Sequence, residues 1–242
     1  MPDSRRRPTA APPTVVCFVR HGTTPTTGSV LPGRARGLHL SEKGRAEAER
    51  AGERLAALGT VRAVYASPLE RTRETAKAVA AQLGLAVRVE RGLVECDFGE
   101  WTGRKLAELS KLPEWRTVQQ HPSGFRFPGG ESFAEVRARM AATVERLVAA
   151  HPGEVIVAVS HADPIKVVLG EALGQSLDLV QRLHVSPCSV SAVAYGALGP
   201  TVLAVNSTAD LAAVGLQPRP AGPASANGRA PGPSARGGRG RA

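Results

Sequence analysis

The chain has 242 residues, 42% of them hydrophobic and only 4% aromatic, and its 31 lysines and arginines against 21 acidic residues give a formal net charge of +10. Most of that charge lies at the ends: residues 1–13 carry +2, residues 211–242 carry +5, and residues 14–210 keep only +3. This distribution argues against a nucleic-acid-binding domain, and no apolar run approaches the roughly 20 residues that cross a bilayer. We therefore expect a cytoplasmic protein with no membrane partner.

The two ends differ in composition from the middle of the chain. Proline, glycine, alanine, serine and arginine dominate residues 1–13 and 211–242, which offer few apolar side chains to offset the entropy of ordering. We predict a disordered tail at each end and one domain over residues 14–210. The basic tails are expected to be solubilising ends, with an arm for nucleic acid or another anionic partner as the alternative.

The first predicted elements are a strand, a helix and a second strand. The β-branched run from Val15 to Val19 indicates a buried strand because it stops at a loop rich in glycine and threonine. Ser41 is the candidate N-cap of a helix whose apolar residues repeat at helical spacing until Gly59 ends it. Val61 to Ala66 is the second strand, and Ser67, which precedes a proline, is the predicted cap of the next helix.

The alternation of strands and helices continues along the rest of the chain. We predict a helix over 67–83, a strand over 85–89, a loop-rich stretch over 91–130, a helix over 132–150, a strand over 155–159, a helix over 164–173 and a closing hairpin over 189–195 and 201–205. A long stretch with little regular structure is typical of a functional lid. The order of elements predicts a three-layer α/β/α sandwich with a mostly parallel central sheet and a lid-like insertion.

Chemically capable side chains follow several of these strands directly. Arg20 and His21 come after the first strand, and His161 comes after the central strand at 155–159. Arg71 lies one turn into the helix that follows the second strand, and Glu95 follows the third. Because ligands bind at the carboxyl ends of parallel strands, we expect these five side chains to meet at one edge of the sheet.

This set of residue types favours phosphoryl chemistry. Two arginines without a dedicated carboxylate partner favour an anion, and the planar guanidinium group matches phosphoryl oxygens. An imidazole nitrogen can attack phosphorus and carry the phosphoryl group, which divides one difficult displacement into two easier ones. Glu95 could give a proton to the leaving alkoxide and later take one from the attacking water. The second imidazole and the arginines would stabilise the charge on the phosphoryl oxygens.

Five motifs follow one another along the chain. They are Arg20-His21-Gly22; Ser67-Pro68-Leu69 with Arg71, Thr75 and Ala76; Glu95 with Gly99, Trp101 and Gly103; Gly129-Gly130-Glu131-Ser132; and Ser160-His161. In this order they resemble the histidine phosphatase superfamily, also called the phosphoglycerate mutase-like family, over about residues 14–206. Five ordered motifs are a far more specific signal than any one tripeptide.

The resemblance implies a role for each matched residue. His21 corresponds to the phosphorylated nucleophile, Glu95 to the proton donor, and Arg20, Arg71 and His161 to the rest of the phosphate pocket, with no metal and no cofactor. The chain is most similar to the broad-specificity phosphatase and alpha-ribazole phosphatase branch. Residues 185–190 followed by Asn206 also resemble a subgroup of actinobacterial proteins classed as phosphomutases.

Three positions depart from the family pattern. Thr23 stands where many members have glutamate, and Thr27 stands where many have an asparagine that reaches the phosphate. Thr27 could still donate a hydroxyl to substrate. Ala162 replaces a common glycine next to the second histidine, which a small residue tolerates if its backbone φ is negative. The resemblance therefore places both Thr27 and Ala162 among the substrate-binding residues.

Several other polar residues keep alternative interpretations. Asp97 and Glu100 compete with Glu95 as proton donor, and the resemblance favours Glu95. Asp163 either caps the helix after His161 or contacts substrate, and the cap is favoured.

Structural positions are favoured for the remaining residues of interest. Packing within the lid is favoured for Trp101 and Trp115. Surface, cap or lid positions are favoured for the other histidines, His39, His121, His151 and His184. The isolated cysteines, Cys17, Cys96 and Cys188, indicate neither a metal site nor a disulfide framework.

The sequence therefore predicts a phosphomonoester hydrolase that acts on a small phosphorylated metabolite through a phosphohistidine intermediate. A phosphomutase, which returns the phosphoryl group to an acceptor hydroxyl, is the alternative within enzymes. A non-catalytic phospho-ligand binder is the alternative outside them. The sequence leaves a homodimer open.

Overall fold

A six-stranded sheet forms the centre of the protein, whose structure is a computed structural model that describes residues 11–209. Its strands are β1 (Thr14–Arg20), β2 (Val61–Ala66), β3 (Val87–Val89), β4 (Val155–Ser160), β5 (Val190–Gly196) and β6 (Gly199–Ser207). They lie in the order β3-β2-β4-β1-β5-β6. The first four are mutually parallel, β5 is antiparallel to β1, and β6 is antiparallel to β5. The predicted, mostly parallel sheet is confirmed.

Helices cover both faces of the sheet. They are α1 (Glu42–Ala56), α2 (Glu70–Leu83), α3 (Leu106–Leu109), α4 (Pro113–Gln120), α5 (Phe133–Ala150) and α6 (Ala162–Ala172). Helices α1 and α2 pack together over one face, where Ala51, Leu55 and Val79 enter the core. Helices α5 and α6 cover the other face with side chains such as Met140 and Leu169. The three-layer sandwich follows from these two cores.

Strand β1 lacks polar alternation because it is buried on both faces. Val16 and Phe18 belong to the core under α5 and α6, whereas Cys17 and Val19 belong to the core under α1 and α2. Burying a large apolar side chain stabilises a fold by about 1.5–3 kcal/mol relative to leaving it in water. The strand is therefore a rigid support for the residues that follow its carboxyl end.

The stretch over 91–130 is more regular than its sequence predicts. It holds α3, α4 and three short 3₁₀ segments. Its aromatic side chains contact one another: Trp101 is buried, and its ring centroid lies 5.4 Å from that of Phe127 and 6.2 Å from that of Trp115. Both tryptophans pack within this stretch, and Trp115 also lines a cleft described below. Helices this short depend on tertiary contacts and carry little periodicity, which explains why the sequence did not predict them.

The prediction that Ser67 caps α2 is wrong. Helix α2 begins at Glu70 with Leu69 as its N-cap. Ser67 instead prolongs β2, because its backbone N–H donates to the carbonyl of Val159 on β4 at 3.0 Å. A residue that precedes proline favours extended backbone, and this preference keeps Ser67 in line with the strand. Its hydroxyl is thereby free to serve the site at the sheet edge.

Two further boundaries differ from prediction. Helix α6 begins at Ala162 with His161 as its N-cap, so the prediction that Asp163 is the cap is wrong and its carboxylate lies within the first turn. Strand β3 begins at Val87, two residues later than predicted, because the backbone N–H of Leu85 still closes the end of α2 on the carbonyl of Ala80. That closure follows the left-handed Gly84, a common helix terminator.

Most of the two predicted tails lies outside the described residues; only residues 11–13 of the first are included. Within residues 11–209, no helix has the length and apolar character needed to cross a membrane.

Candidate active site

Two histidines lie side by side at the carboxyl edge of the sheet. Strands β1 and β4 are parallel neighbours in a register that pairs Arg20 with Ser160, so the next residues, His21 and His161, leave the sheet together. The backbone N–H of His21 donates to the carbonyl of Ser160 at 3.0 Å, and the two imidazole centroids are 5.3 Å apart. The register of the central strands therefore brings the two imidazoles together.

His21 keeps one ring nitrogen with a free lone pair. Its Nδ1 lies 2.8 Å from the carbonyl oxygen of Gly22, and because a carbonyl only accepts, Nδ1 carries the proton and Nε2 keeps its lone pair. Burial, together with the charges of Arg71 and Arg20, lowers the pKa of His21 to about 3. The imidazole is consequently neutral at neutral pH, the state that attack on phosphorus requires.

The loop after His21 is held against the start of α1. A Cβ on Gly22 would lie 2.5 Å from the carbonyl oxygen of Gly44, and a Cβ on Gly44 would overlap the carbonyl of Thr23. Thr23 gives its backbone N–H and hydroxyl to Glu47, at 2.9 and 3.0 Å. The carbonyl of Thr23 accepts from Ser41, the predicted and observed N-cap of α1. Thr23 therefore anchors the loop, and its side chain does not line the cleft beside His21.

His161 is fully buried beside Glu95. Its Nε2 lies 2.8 Å from the hydroxyl of Ser67, and its Nδ1 lies 3.9 Å from a carboxylate oxygen of Glu95. Burial and the charge of Arg71 lower the pKa of His161 well below its ordinary value. Among the described residues, Nδ1 has no hydrogen-bond partner.

Two arginines complete the group around the histidines. Arg71 is fully buried and donates from Nη2 to the carbonyl of Gly33 at 2.7 Å, while Arg20 donates from Nη1 to the carbonyl of Val185 at 2.7 Å. Within residues 11–209, Nε and Nη1 of Arg71 and Nε of Arg20 are buried without a hydrogen-bond partner. A buried cation without a partner is costly, so these nitrogens indicate a site for an anion.

Glu95 carries a carboxyl group that is suited to donate a proton. The side chain is 6% exposed, and Oε1 accepts from the backbone N–H of Cys96 at 2.9 Å. Burial and the negative charge of Asp163 raise the pKa of Glu95 to about 7, against the opposing effect of Arg71. A large fraction of Glu95 is therefore protonated near neutral pH.

The two rivals of Glu95 lie elsewhere. Asp97 pairs with Arg34 at 3.5 Å and accepts from the backbone N–H of Gly99, whereas Glu100 is exposed to solvent. Neither lines the cleft beside His21. The geometry therefore favours Glu95 over both of them.

A cleft of about 420 Å³ opens beside His21. Thr27 and Ala162, both predicted to bind substrate, line it, and the hydroxyl of Thr27 accepts from the backbone N–H of Thr24 at 2.9 Å. One wall is largely apolar, with Leu31, Phe98, Trp115 and Phe127. A polar wall is formed by Asp163, Lys166, Gln181, Arg182 and His184. A bound molecule would meet apolar and polar surfaces at once.

Sequence reasoning missed most of the polar wall. Lys166 lies one helical turn after Asp163 on α6, so helical spacing could have pointed to it. Gln181 and Arg182 lie in the 3₁₀ segment Leu177–Arg182 and carry no readable signal. His184 is exposed, as expected, but it also lines the cleft, and its Nε2 lies 3.1 Å from the hydroxyl of Ser186.

Cys17, Cys96 and Cys188 are buried and free, and burial raises the pKa of each thiol. Over residues 11–209, no group of three or more histidine, cysteine, aspartate or glutamate side chains is arranged to hold a metal ion.

Known proteins are similar to this chain in sequence and fold. The bifunctional protein Rv2228c of Mycobacterium tuberculosis is 34% identical over 198 residues, which are 81% of this chain and 54% of that protein. The chain thus spans about half the length of that relative. Phosphoserine phosphatase 1 of Hydrogenobacter thermophilus is 31% identical over 184 residues, 74% of this chain and 87% of that enzyme.

A solved structure has a similar fold. The mycobacterial glucosyl-3-phosphoglycerate phosphatase Rv2419c, solved in complex with VO3, superposes with a TM-score of 0.71 at 27% identity, covering 80% of this chain and 99% of that one. The family model described as histidine phosphatase superfamily, branch 1, matches residues 16–208. Together with the paired histidines at the sheet edge, these similarities identify the chain as a member of the histidine phosphatase superfamily.

Proposed function

We propose that this chain is a metal-independent phosphomonoester hydrolase that works through a phosphohistidine on His21. The observation that carries the proposal is the set of buried, unpartnered nitrogens on Arg20, Arg71 and His161 beside a neutral His21. A phosphoryl group supplies the oxygens that these nitrogens lack, and its phosphorus is the electrophile that the imidazole can attack.

In the first step, Nε2 of His21 attacks phosphorus and the bond from phosphorus to the ester oxygen breaks. The arginines and His161 stabilise the charge on the three remaining phosphoryl oxygens. Glu95, protonated near neutral pH, gives its proton to the departing alkoxide. The products are an alcohol, a phosphohistidine and an ionised Glu95.

In the second step, water attacks the phosphohistidine. The ionised Glu95 takes a proton from that water as the oxygen–phosphorus bond forms and the nitrogen–phosphorus bond breaks. Inorganic phosphate leaves, His21 recovers its neutral imidazole, and Glu95 recovers its proton. The raised pKa of Glu95 suits both steps, because the carboxyl gives and regains a proton at similar pH.

The proposed substrate is a small phosphorylated metabolite. A cleft of about 420 Å³ limits the size of the leaving group, and its two walls favour a group with an apolar face and a polar edge. The names of the relatives make phosphoserine and glucosyl-3-phosphoglycerate reasonable members of a first substrate panel. The cytoplasmic location stays a prediction from the sequence.

The reaction is tested by hydrolysis of p-nitrophenyl phosphate in the presence of a metal chelator. We expect release of phosphate by the unaltered protein and none by His21→Ala. His121→Ala is the matched control, because His121 is exposed and lies outside the cleft. Phosphate-analogue binding without any turnover would support the non-catalytic binder instead.

The phosphomutase alternative differs only in the acceptor of the phosphoryl group. Adding hydroxylated metabolites to the reaction should leave inorganic phosphate as the main product if water is the acceptor. A phosphorylated acceptor that forms at the expense of inorganic phosphate would favour the mutase.

A further inference from the structure

The Gly129–Ser132 motif presents a carboxylate that takes no part in the mechanism above. Glu131 does not line the cleft. Its Oε2 forms an ion pair with Nη2 of Arg34 at 2.8 Å and accepts hydrogen bonds from Nη2 of Arg139 at 2.9 Å and from the backbone N–H of Asp97 at 3.1 Å. Its Oε1 accepts from Nε of Arg139 at 3.2 Å. One carboxylate therefore joins two arginines.

The two arginines hold the backbone that leads to the proposed proton donor. Arg139, on α5, donates from Nη1 to the carbonyls of Gly92 and Val94 at 2.7 and 2.9 Å. Arg34 donates from Nε to the carbonyl of Glu95 itself at 2.8 Å. Three carbonyl groups within four residues are thus fixed by cations that share Glu131.

The same connection reaches the proposed phosphate pocket. The residue before Arg34 is Gly33, whose carbonyl accepts from Nη2 of the buried Arg71. A displacement of Arg34 would therefore disturb a contact of Arg71 as well as the backbone of Glu95. Residues 33–34 therefore connect the backbone of Glu95 with Arg71 in the proposed phosphate pocket.

Two glycines, Gly130 of this motif and Gly99, allow Glu131 to reach this position. A Cβ on Gly130 would overlap the carbonyl of Asp97, and a Cβ on Gly99 would overlap that of Pro128. At both positions one backbone segment therefore packs directly against the other. The backbone N–H of Glu131 also donates to the carbonyl of Asp97 at 2.8 Å. The close approach explains why glycine occupies both positions.

From this geometry we infer that Glu131 is a positioning residue, which holds the carboxyl of Glu95 in place through Arg34 and Arg139. The inference rests on the proposed function, because it concerns the same reaction. Without its carboxylate, two largely shielded guanidinium groups would face each other with no shared anion, and their hold on residues 92–95 would weaken. Proton transfer to the leaving group would suffer before phosphate binding does.

The test uses leaving groups that differ in their need for a proton. In Glu131→Gln, kcat/KM for an alkyl phosphate such as glycerol 3-phosphate should fall roughly 10-fold to 100-fold. For p-nitrophenyl phosphate, whose leaving group departs readily as an anion, kcat/KM should change by less than about threefold, because it reports only the steps up to release of that group. The inhibition constant of inorganic phosphate should change little, and Glu131→Asp, which keeps the charge, should recover part of the alkyl activity.

Glu135→Gln is the matched control, since the same chemical change breaks an exposed pair with Arg126 in the adjacent turn. Equal losses of kcat/KM with both esters in Glu131→Gln, or a loss no larger than in the control, would overturn the inference. If Glu131→Gln does not fold, the same ratio of the two activities is measured in Glu131→Asp and Arg34→Lys, where an unchanged ratio also counts against it. Absence of activity in the unaltered protein would refute the proposed function instead.

Discussion

His21 and His161 share one sheet edge but leave different ring atoms free. His21 binds a carbonyl through Nδ1 and leaves Nε2 available, whereas His161 engages Ser67 through Nε2 and leaves Nδ1 without a partner among the described residues. The sequence predicted that both histidines lie at this sheet edge. The tautomer of His21 and the contact of Ser67 depend on interactions between segments that are distant in the chain. These contacts could not be read from the chain.

The charge state of Glu95 predicts the pH dependence of hydrolysis. Because burial raises the pKa of Glu95 to about 7, its proton is present below that pH and lost above it. For an alkyl phosphate, kcat/KM should therefore fall as pH rises through about 7. In Glu95→Gln this fall should disappear, with activity lower by roughly 10²-fold to 10⁴-fold. A pH profile measured with both proteins checks this, and an unchanged fall in the variant would assign it to another group.

Arg71 is predicted to serve anion binding at the expense of stability. Its buried guanidinium has two nitrogens without partners in the described structure, so Arg71→Met should leave the thermal midpoint without ligand equal or higher. Inorganic phosphate should raise the midpoint of the unaltered protein and not that of the variant. Thermal unfolding with and without phosphate measures both effects; a phosphate shift retained in Arg71→Met would contradict the anion site.

At the scale of elements, sequence patterns predicted the strands that carry the site better than the surfaces that surround it. Strands β1 and β4 are apolar runs because they are buried on both faces, and such runs are legible in a single sequence. The helix over 132–150 was also predicted, and the structure adds that Ser132 and Glu135 form a capping box at its start. Helix α4 and the segment Leu177–Arg182 were not, because their positions depend on packing against other elements.

The contact between α1 and the His21 loop gives a prediction about a single methyl group. A Cβ on Gly44 would overlap the carbonyl of Thr23, and backbone on both sides leaves little room to adjust. Gly44→Ala should therefore lower the free energy of unfolding by about 1–3 kcal/mol and reduce kcat by displacing the loop. Glu49→Ala, on the exposed side of the same helix, is the control. Denaturant unfolding and kinetics of both variants measure the effect; equal behaviour would show that the loop tolerates the shift.

At the scale of the whole molecule, the high net charge and the chemistry have separate origins. Residues 1–13 and 211–242 contribute seven of the ten excess positive charges, whereas the proposed chemistry uses Arg20 and Arg71 within a nearly balanced domain. The family resemblance, read from motifs spread over most of the chain, is confirmed by the match over residues 16–208. The substrate could not be identified from the sequence, because the polar wall of the cleft is assembled from separate segments.

The central claim is that His21 carries the phosphoryl group during turnover, and the most direct measurement is to trap that intermediate. The protein is mixed with substrate, denatured within the first turnovers in alkali, which preserves phosphohistidine, and digested for peptide mass spectrometry. We predict one phosphoryl group on the peptide that contains His21, and none in His21→Ala. A protein that hydrolyses the substrate at the same rate with no phosphorylated His21, or with the group on another residue, would contradict the mechanism.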